Sequence, residues 1–166
     1  MGVLEGGPAA NGIDFAHGVM NVGEAMAIPI IRELKKWREP AADDIIEIRD
    51  APPGASCPVV ETIRGADFVL LVTEPTPFGL HDLKQVVGIT RELKLPAGVV
   101  INRDGIGDNA VEAWCAEAGI PVLLRIPMER RIAEAIAVGK PLVTAAPEYQ
   151  PQFRALLDRI TERLAA

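Results

Sequence analysis

Phe68-Val69-Leu70-Leu71-Val72 is a run of five apolar residues, preceded by Gly65-Ala66-Asp67 and followed by Thr73-Glu74-Pro75. Its length suits a strand. Its lack of polar alternation suits a strand covered on both faces, as in a parallel sheet. Gly98-Val99-Val100-Ile101 repeats the pattern and ends at Asn102-Arg103, and Val122-Leu123-Leu124 is the core of a third such strand. The segments between have helical periodicity. Leu80–Leu93 places Leu83, Val86, Val87 and Ile89 among its apolar positions, and Asp108–Ala118 closes at Gly119. Strands that alternate with helices predict parallel βαβ crossovers.

Outward from this centre the pattern continues. Downstream, Arg131–Val138 reads as a short helix ended by Gly139 and Pro141, and a last helix opens at Tyr149 or Pro151. Upstream, Val59–Arg64 reads as a short helix, with the proline-rich turn Asp50–Pro58 before it. Asp43–Arg49 holds Ile45, Ile46 and Ile48 and predicts a β-branched strand. Ala25–Trp37 predicts a helix with Met26, Ile30, Ile31 and Leu34 on one face, closed by basic residues and Pro40. Ile13–Met20 reads as a strand. Residues 1–12, rich in glycine, proline and alanine, read as a flexible N-terminal segment, leaving 13–166 as one domain. The fold class expected is α/β, a mostly parallel sheet flanked by helices.

Composition bounds the function. Apolar residues make up 49% and charged residues 24% of 166, as in an ordinary globular domain. Net charge is −6, and no dense basic stretch offers a nucleic-acid surface. Cys57 and Cys115 stand far apart, with no CxxC pattern, so they form neither a disulfide framework nor a zinc site. The N-terminus lacks a basic region followed by an apolar run, and no apolar stretch reaches the roughly 20 residues that span a bilayer. A soluble cytoplasmic protein is expected.

In open parallel sheets, ligands bind beyond the carboxyl ends of the strands. Four clusters lie there: Asp50, Thr73-Glu74-Pro75, Asn102-Arg103 and Ile126-Pro127. An acidic residue at the place of Asp50 is where phosphate-binding proteins hold magnesium, often through water. Gly54 lets backbone approach a phosphate. The same residues would also serve as a rigid proline turn without a ligand. The Asn102 amide carries both a donor and an acceptor, complementary to an adenine edge, and the Arg103 guanidinium can stack on the ring. Cys57 opens a helix, where a thiol can be activated, although a buried, packed cysteine is the commoner case. His81-Asp82 suits a cap and surface pair. No nucleophile elbow supports a hydrolase. No G-x-x-x-x-G-K-[ST] occurs, and Gly139-Lys140 is followed by proline at a helix end.

The ordered stretches Asp50-Ala51-Pro52-Pro53-Gly54-Ala55-Ser56-Cys57-Pro58-Val59-Val60, Thr73 to Leu83 (TEPTPFGLHDL), and Val100-Ile101-Asn102-Arg103 resemble the MinD/ParA superfamily of deviant P-loop ATPases. Within it they are most similar to the branch with an inserted ferredoxin-like iron–sulfur domain. Val22-Gly23-Glu24-Ala25-Met26 resembles the segment that follows that insert. The resemblance covers about residues 13–160. It implies a P-loop NTPase-like sheet that binds ATP and Mg and couples hydrolysis in a dimer to assembly or to electron transfer involving an iron–sulfur centre. It also implies roles: Asp50, Pro53 and Gly54 at the magnesium and γ-phosphate switch, Asn102 and Arg103 on adenine, and Pro127 in a loop against the base. The Glu74–Asp82 signature carries no assigned role.

The family's phosphate-loop lysine, first switch aspartate and clustered ferredoxin cysteines have no counterpart among the 166 residues. The nucleotide-binding sheet is therefore expected to be incomplete at its N-terminal side, with Asp43–Arg49 beside a gap and the iron–sulfur cluster confined to the missing insert. The expected partners are a second copy, a completing chain that carries the P-loop, or an iron–sulfur protein. Little or no ATPase activity is expected from the chain alone. The alternative is a non-catalytic interaction or dimerisation module with a vestigial nucleotide site.

Overall fold

Gly2–Pro8 (β1) and Asp14–Met20 (β2) pair as an antiparallel ribbon, with Val3 opposite Val19 and Glu5 opposite His17. They open a computed structural model that describes residues 2–9, 12–37 and 45–165. The expectation of an unstructured 1–12 is corrected over Gly2–Pro8. Glycines that read as strand breakers are needed in β1. A Cβ on Gly2 or Gly6 would meet the β2 backbone at 2.2 and 2.4 Å, so the pairing requires the small residues.

β1 and β2 belong to the first of two compact units, Met1–Arg64. Its helices are α1 (Ile28–Trp37) and α2 (Cys57–Ile63). Ile30, the buried residue of α1, packs on the ribbon. Lys35 Nζ donates to the carbonyls of Glu61 and Arg64 at 3.0 and 2.7 Å, supplying partners for the C-terminal end of α2. Burial pulls the Lys35 pKa down. Arg32 and Glu61 form an ion pair at 3.0 Å. Pro40, expected to end α1, lies outside the described residues, as do Asp43 and Asp44.

The predicted strand Asp43–Arg49 is corrected over its described part. Residues 45–50 are coil, and Ile48 is 89% exposed. β-Branched propensity becomes a strand only where a neighbour supplies the ladder, and among the described residues no strand pairs with 45–49.

The second unit, Gly65–Ala166, holds the parallel sheet. β3 (Val69–Thr73), α3 (Pro77–Glu92), β4 (Ala97–Asp104), α4 (Ala110–Ala118) and β5 (Val122–Pro127) alternate as expected. The strand order is β3-β4-β5, both pairs parallel. β4 is central, and its residues Gly98, Val99, Val100 and Ile101 are all buried. α3 begins earlier than the periodicity implies: Pro77–Gly79, ahead of the expected start at Leu80, is already helix. Thr76 caps it by accepting from Gly79 N–H at 3.0 Å, and Pro77 occupies the first turn, where its missing N–H costs nothing.

The chain then runs through α5 (Arg130–Ala137), α6 (Leu142–Ala145), a 3₁₀ turn (Pro147–Tyr149) and α7 (Gln150–Leu164). These pack Ile132, Ala146, Tyr149 and Leu156 against Val100, Leu123, Leu124 and Ile126 of the sheet. Arg159 of α7 donates to the Leu123 carbonyl on β5. α3 and α4 contribute Leu83, Val87, Val111 and Cys115, all buried.

A clamp joins the start of α5 to the 3₁₀ turn. Arg131 pairs with Glu129 and Glu148, and the Tyr149 hydroxyl donates to Glu129 at 2.6 Å. The Arg131 guanidinium, then the Tyr149 hydroxyl, hold the Glu129 carboxyl below its ordinary 4.5. Glu148 is lowered first by its backbone amide and then by Arg131. Burial, followed by Glu129, pushes Tyr149 up to about 12.

Two predictions follow from this packing. Leu124→Ala is expected to cost about 2–4 kcal/mol in denaturant unfolding. The clamp carboxyls bind protons less tightly folded than unfolded, so their contribution is full above 4.5 and is lost as pH falls through the depressed folded values. The Tyr149 contribution is intact below 10 and is lost as pH rises through about 12. The thermal midpoint is expected to fall between about pH 6 and about pH 3, and Glu129→Gln to flatten that fall.

Candidate functional site

The carboxyl ends of β3, β4 and β5 form a rim in the second unit. Asn102 lies opposite Ile126 and Asp104 opposite Pro127, so the expected base-contacting residues sit side by side. The register shifts between Asn102 and Asp104, and the residue left over is Arg103. Arg103 has φ +53, the left-handed region, which is costly for a residue with a side chain. Its side chain therefore leaves the strand's alternation and reaches across to Glu74 at the end of β3, pairing at 3.1 Å.

The rim is braced from both sides. Asp104 accepts from Arg125 at 3.4 Å, and its carbonyl accepts Met128 N–H at 3.0 Å. Arg125 also pairs with Glu112 of α4. Those contacts raise the Arg125 pKa, Glu112 foremost. The loops after β3 and β4 touch backbone to backbone: a Cβ on Gly107 would lie 1.6 Å from the buried Pro75 carbonyl. Asn102 is half-buried, and its side-chain amide has no hydrogen-bond partner among the described residues. The amide thus offers a donor and an acceptor at the rim, beside a guanidinium face.

Asp50, Pro53 and Gly54 belong to the first unit, in the coil before α2. Asp50 and Pro53 are exposed. Gly54 has φ +85, which a side chain would resist. Cys57 is exposed, so its expected burial is corrected. At the first position of α2 it lies ahead of the buried stretch that begins at Val59. Cys115 is buried, and burial raises its thiol pKa. His81 pairs with Gln85 at 2.6 Å. The reading of strand ends put Asn102, Arg103 and Pro127 at this rim, and they lie there. It missed the roles of Glu74, Asp104 and Arg125, whose only sequence signal is charge at or near strand ends.

The donor set decides what the chain itself can hold. In the second unit, the Asn102 amide and the Arg103 guanidinium offer the donors, acceptor and flat face that a planar heterocycle uses. In the first unit, Asp50 offers a carboxylate and Gly54 a backbone contact, and the sequence has no lysine-bearing phosphate loop to accompany them. Among the described residues no group of three His, Cys, Asp or Glu converges as a metal site. Two separated thiols fall short of the four that hold a cluster.

No family model matches the chain. Solved structures do. The chain superposes on the cell division ATPase MinD of Pyrococcus furiosus with TM-score 0.54 at 28% identity, over 69% of this chain and 50% of that one. The MinD–Mg-ADP complex of Pyrococcus horikoshii matches with TM-score 0.58 at 26% identity, over 81% of this chain and 54% of that one. The chain thus shares the fold of these MinD ATPases. An uncharacterised protein of Methanocaldococcus jannaschii is 36% identical over 123 residues, 74% of this chain and 42% of its own length. An iron–sulfur cluster carrier protein of the same organism is 25% identical over 131 residues, 69% of this chain and 45% of its own. The MinD/ParA-like chain thus spans about half the length of the proteins it matches.

The Gly107 contact is directly testable. Gly107→Ala is expected to lower stability by about 1–3 kcal/mol, because the loop must shift. Gly88→Ala, in the interior of α3 with open space around its Cβ, is expected to raise it by about 0.5–1 kcal/mol. Urea melts of the two variants make the comparison.

Proposed function

We propose that the chain is part of a MinD-like ATP-binding switch ATPase associated with iron–sulfur or electron-transfer chemistry, and that by itself it binds adenine nucleotide weakly and hydrolyses little or no ATP. One observation carries the reading: the Asn102 amide, without a hydrogen-bond partner among the described residues, next to the displaced Arg103 at the carboxyl ends of parallel strands. The matched MinD structure with Mg-ADP and the matched iron–sulfur carrier support the ligand and the association.

In this reading Asn102 pairs with the adenine edge, Arg103 lies on the ring, and Pro127 bounds the pocket. Asp50 orients magnesium-bound water, while Pro53 and Gly54 report on the γ-phosphate. Charge neutralisation of the transferred phosphoryl group needs a cationic phosphate loop, which this sequence does not contain, so hydrolysis belongs to the assembled protein. Cluster ligands likewise come from another segment or protein. We place the assembly in the cytoplasm; no described helix is long and apolar enough to cross a membrane.

The completing element is a P-loop-bearing chain or a second copy. β3 pairs only with β4 among the described residues, and its Val72 is 63% exposed. That open, apolar edge also favours a second reading, a non-catalytic interaction module with a vestigial nucleotide site.

Calorimetric titration of the purified chain with Mg-ADP and Mg-ATP separates the two. Saturable binding lost in Asn102→Ala is the expected result, with ATP turnover at background. Turnover comparable to a complete family member, abolished by Asp50→Ala, would overturn the proposal. Absence of binding favours the interaction module. Light scattering that finds only a stable monomer would count against obligatory completion.

A further inference from the structure

Glu74 opens a signature to which no chemistry is attached, yet it touches a residue of the candidate site. Its carboxylate meets Arg103 Nη1 at 3.1 Å, with the glutamate side chain 37% and the arginine side chain 54% exposed. The energetics of this arrangement are unfavourable as a stability device. A left-handed backbone is costly for a residue with a Cβ, and an exposed ion pair offsets only part of that cost. Strain held at a strand end without a compensating gain in stability points to a requirement for position.

The surroundings make Glu74 a fixed anchor. Its carbonyl accepts Thr76 N–H at 2.8 Å, at the capped start of α3. The next residue, Pro75, is buried and seated against Gly107 of the loop that follows Arg103. That loop closes on itself through Ile106 N–H to the Arg103 carbonyl at 3.3 Å. The main chains carrying the two charges are therefore locked together. The remaining flexible part is the arginine side chain, and Glu74 holds its tip.

We propose that Glu74 is a positioning residue, whose carboxylate holds the Arg103 guanidinium in the plane from which it meets a purine ring beside the Asn102 amide. The ligand class rests on the nucleotide reading above; the positioning does not. Pairing also offsets the arginine's charge, so Arg103 meets a neutral ring more favourably than a phosphate.

The test uses the full chain, labelled with ¹⁵N, and ADP as the probe. Glu74→Gln is nearly isosteric and is expected to move the Arg103 guanidinium resonances to free-arginine positions without ligand. It is expected to weaken ADP about three- to fivefold, the value of one exposed cation–π contact. Arg103→Ala should weaken ADP by a similar factor, the double variant no further, and Glu74→Asp should recover part of the loss. Unchanged Arg103 resonances in Glu74→Gln overturn the proposal, as do fully additive losses in the double variant. A wild-type chain that binds no ADP overturns the nucleotide reading instead, and the Arg103 resonances then still decide whether Glu74 positions it.

Discussion

The two hydrogen-bonded ladders that β4 shares with β3 and β5 are the constraint on which the second unit depends. A parallel pair cannot be closed by a tight turn, so each ladder commits the chain to a helical crossover. α3 and α4 are those crossovers. A strand paired on both sides and covered by side chains admits only apolar residues, and β4 is buried from Gly98 to Ile101. The α5–α7 segment then covers the β4–β5 side with Ile132, Tyr149 and Leu156.

The same constraint creates the site. Regular pairing ends where burial ends, and the ladder slips by one residue at Arg103. The slip turns the strand terminus into a corner, with the Asn102 amide at the end of β4, the Arg103 guanidinium turned to Glu74 after β3, and Pro127 at the end of β5. Asp104, held by Arg125 and by Met128 N–H, keeps the corner from unwinding. Burial drops across a single peptide: Ile101 belongs to the core, and Asn102 is half-buried.

Much of this was legible in the residues. The three strands of the parallel sheet announce themselves as uninterrupted apolar runs, and the residues after them mark the rim. What failed to read correctly depends on partners. Ile45–Ile48 have strand propensity, but propensity does not say whether a neighbouring strand is there. Gly2–Pro8 read as loop because the closeness of β2, which makes glycine necessary, is a tertiary fact. The Pro77 start of α3 needed recognition of Thr76 as a cap. The Glu74–Arg103 pair was illegible because strict alternation would have aimed Arg103 elsewhere; only the slip brings the charges together. Cys57 was read as buried, although its place at a helix start leaves it outside the core.

Arg159 gives the sheet a direction. By occupying the Leu123 carbonyl from α7, it satisfies with a side chain a group that another strand would otherwise claim on the β5 side. Among the described residues no side chain makes such a bond to a β3 carbonyl. A strand added next to β3 would lie on the flank of Glu74, so extending the sheet there and crowding the rim would be the same event.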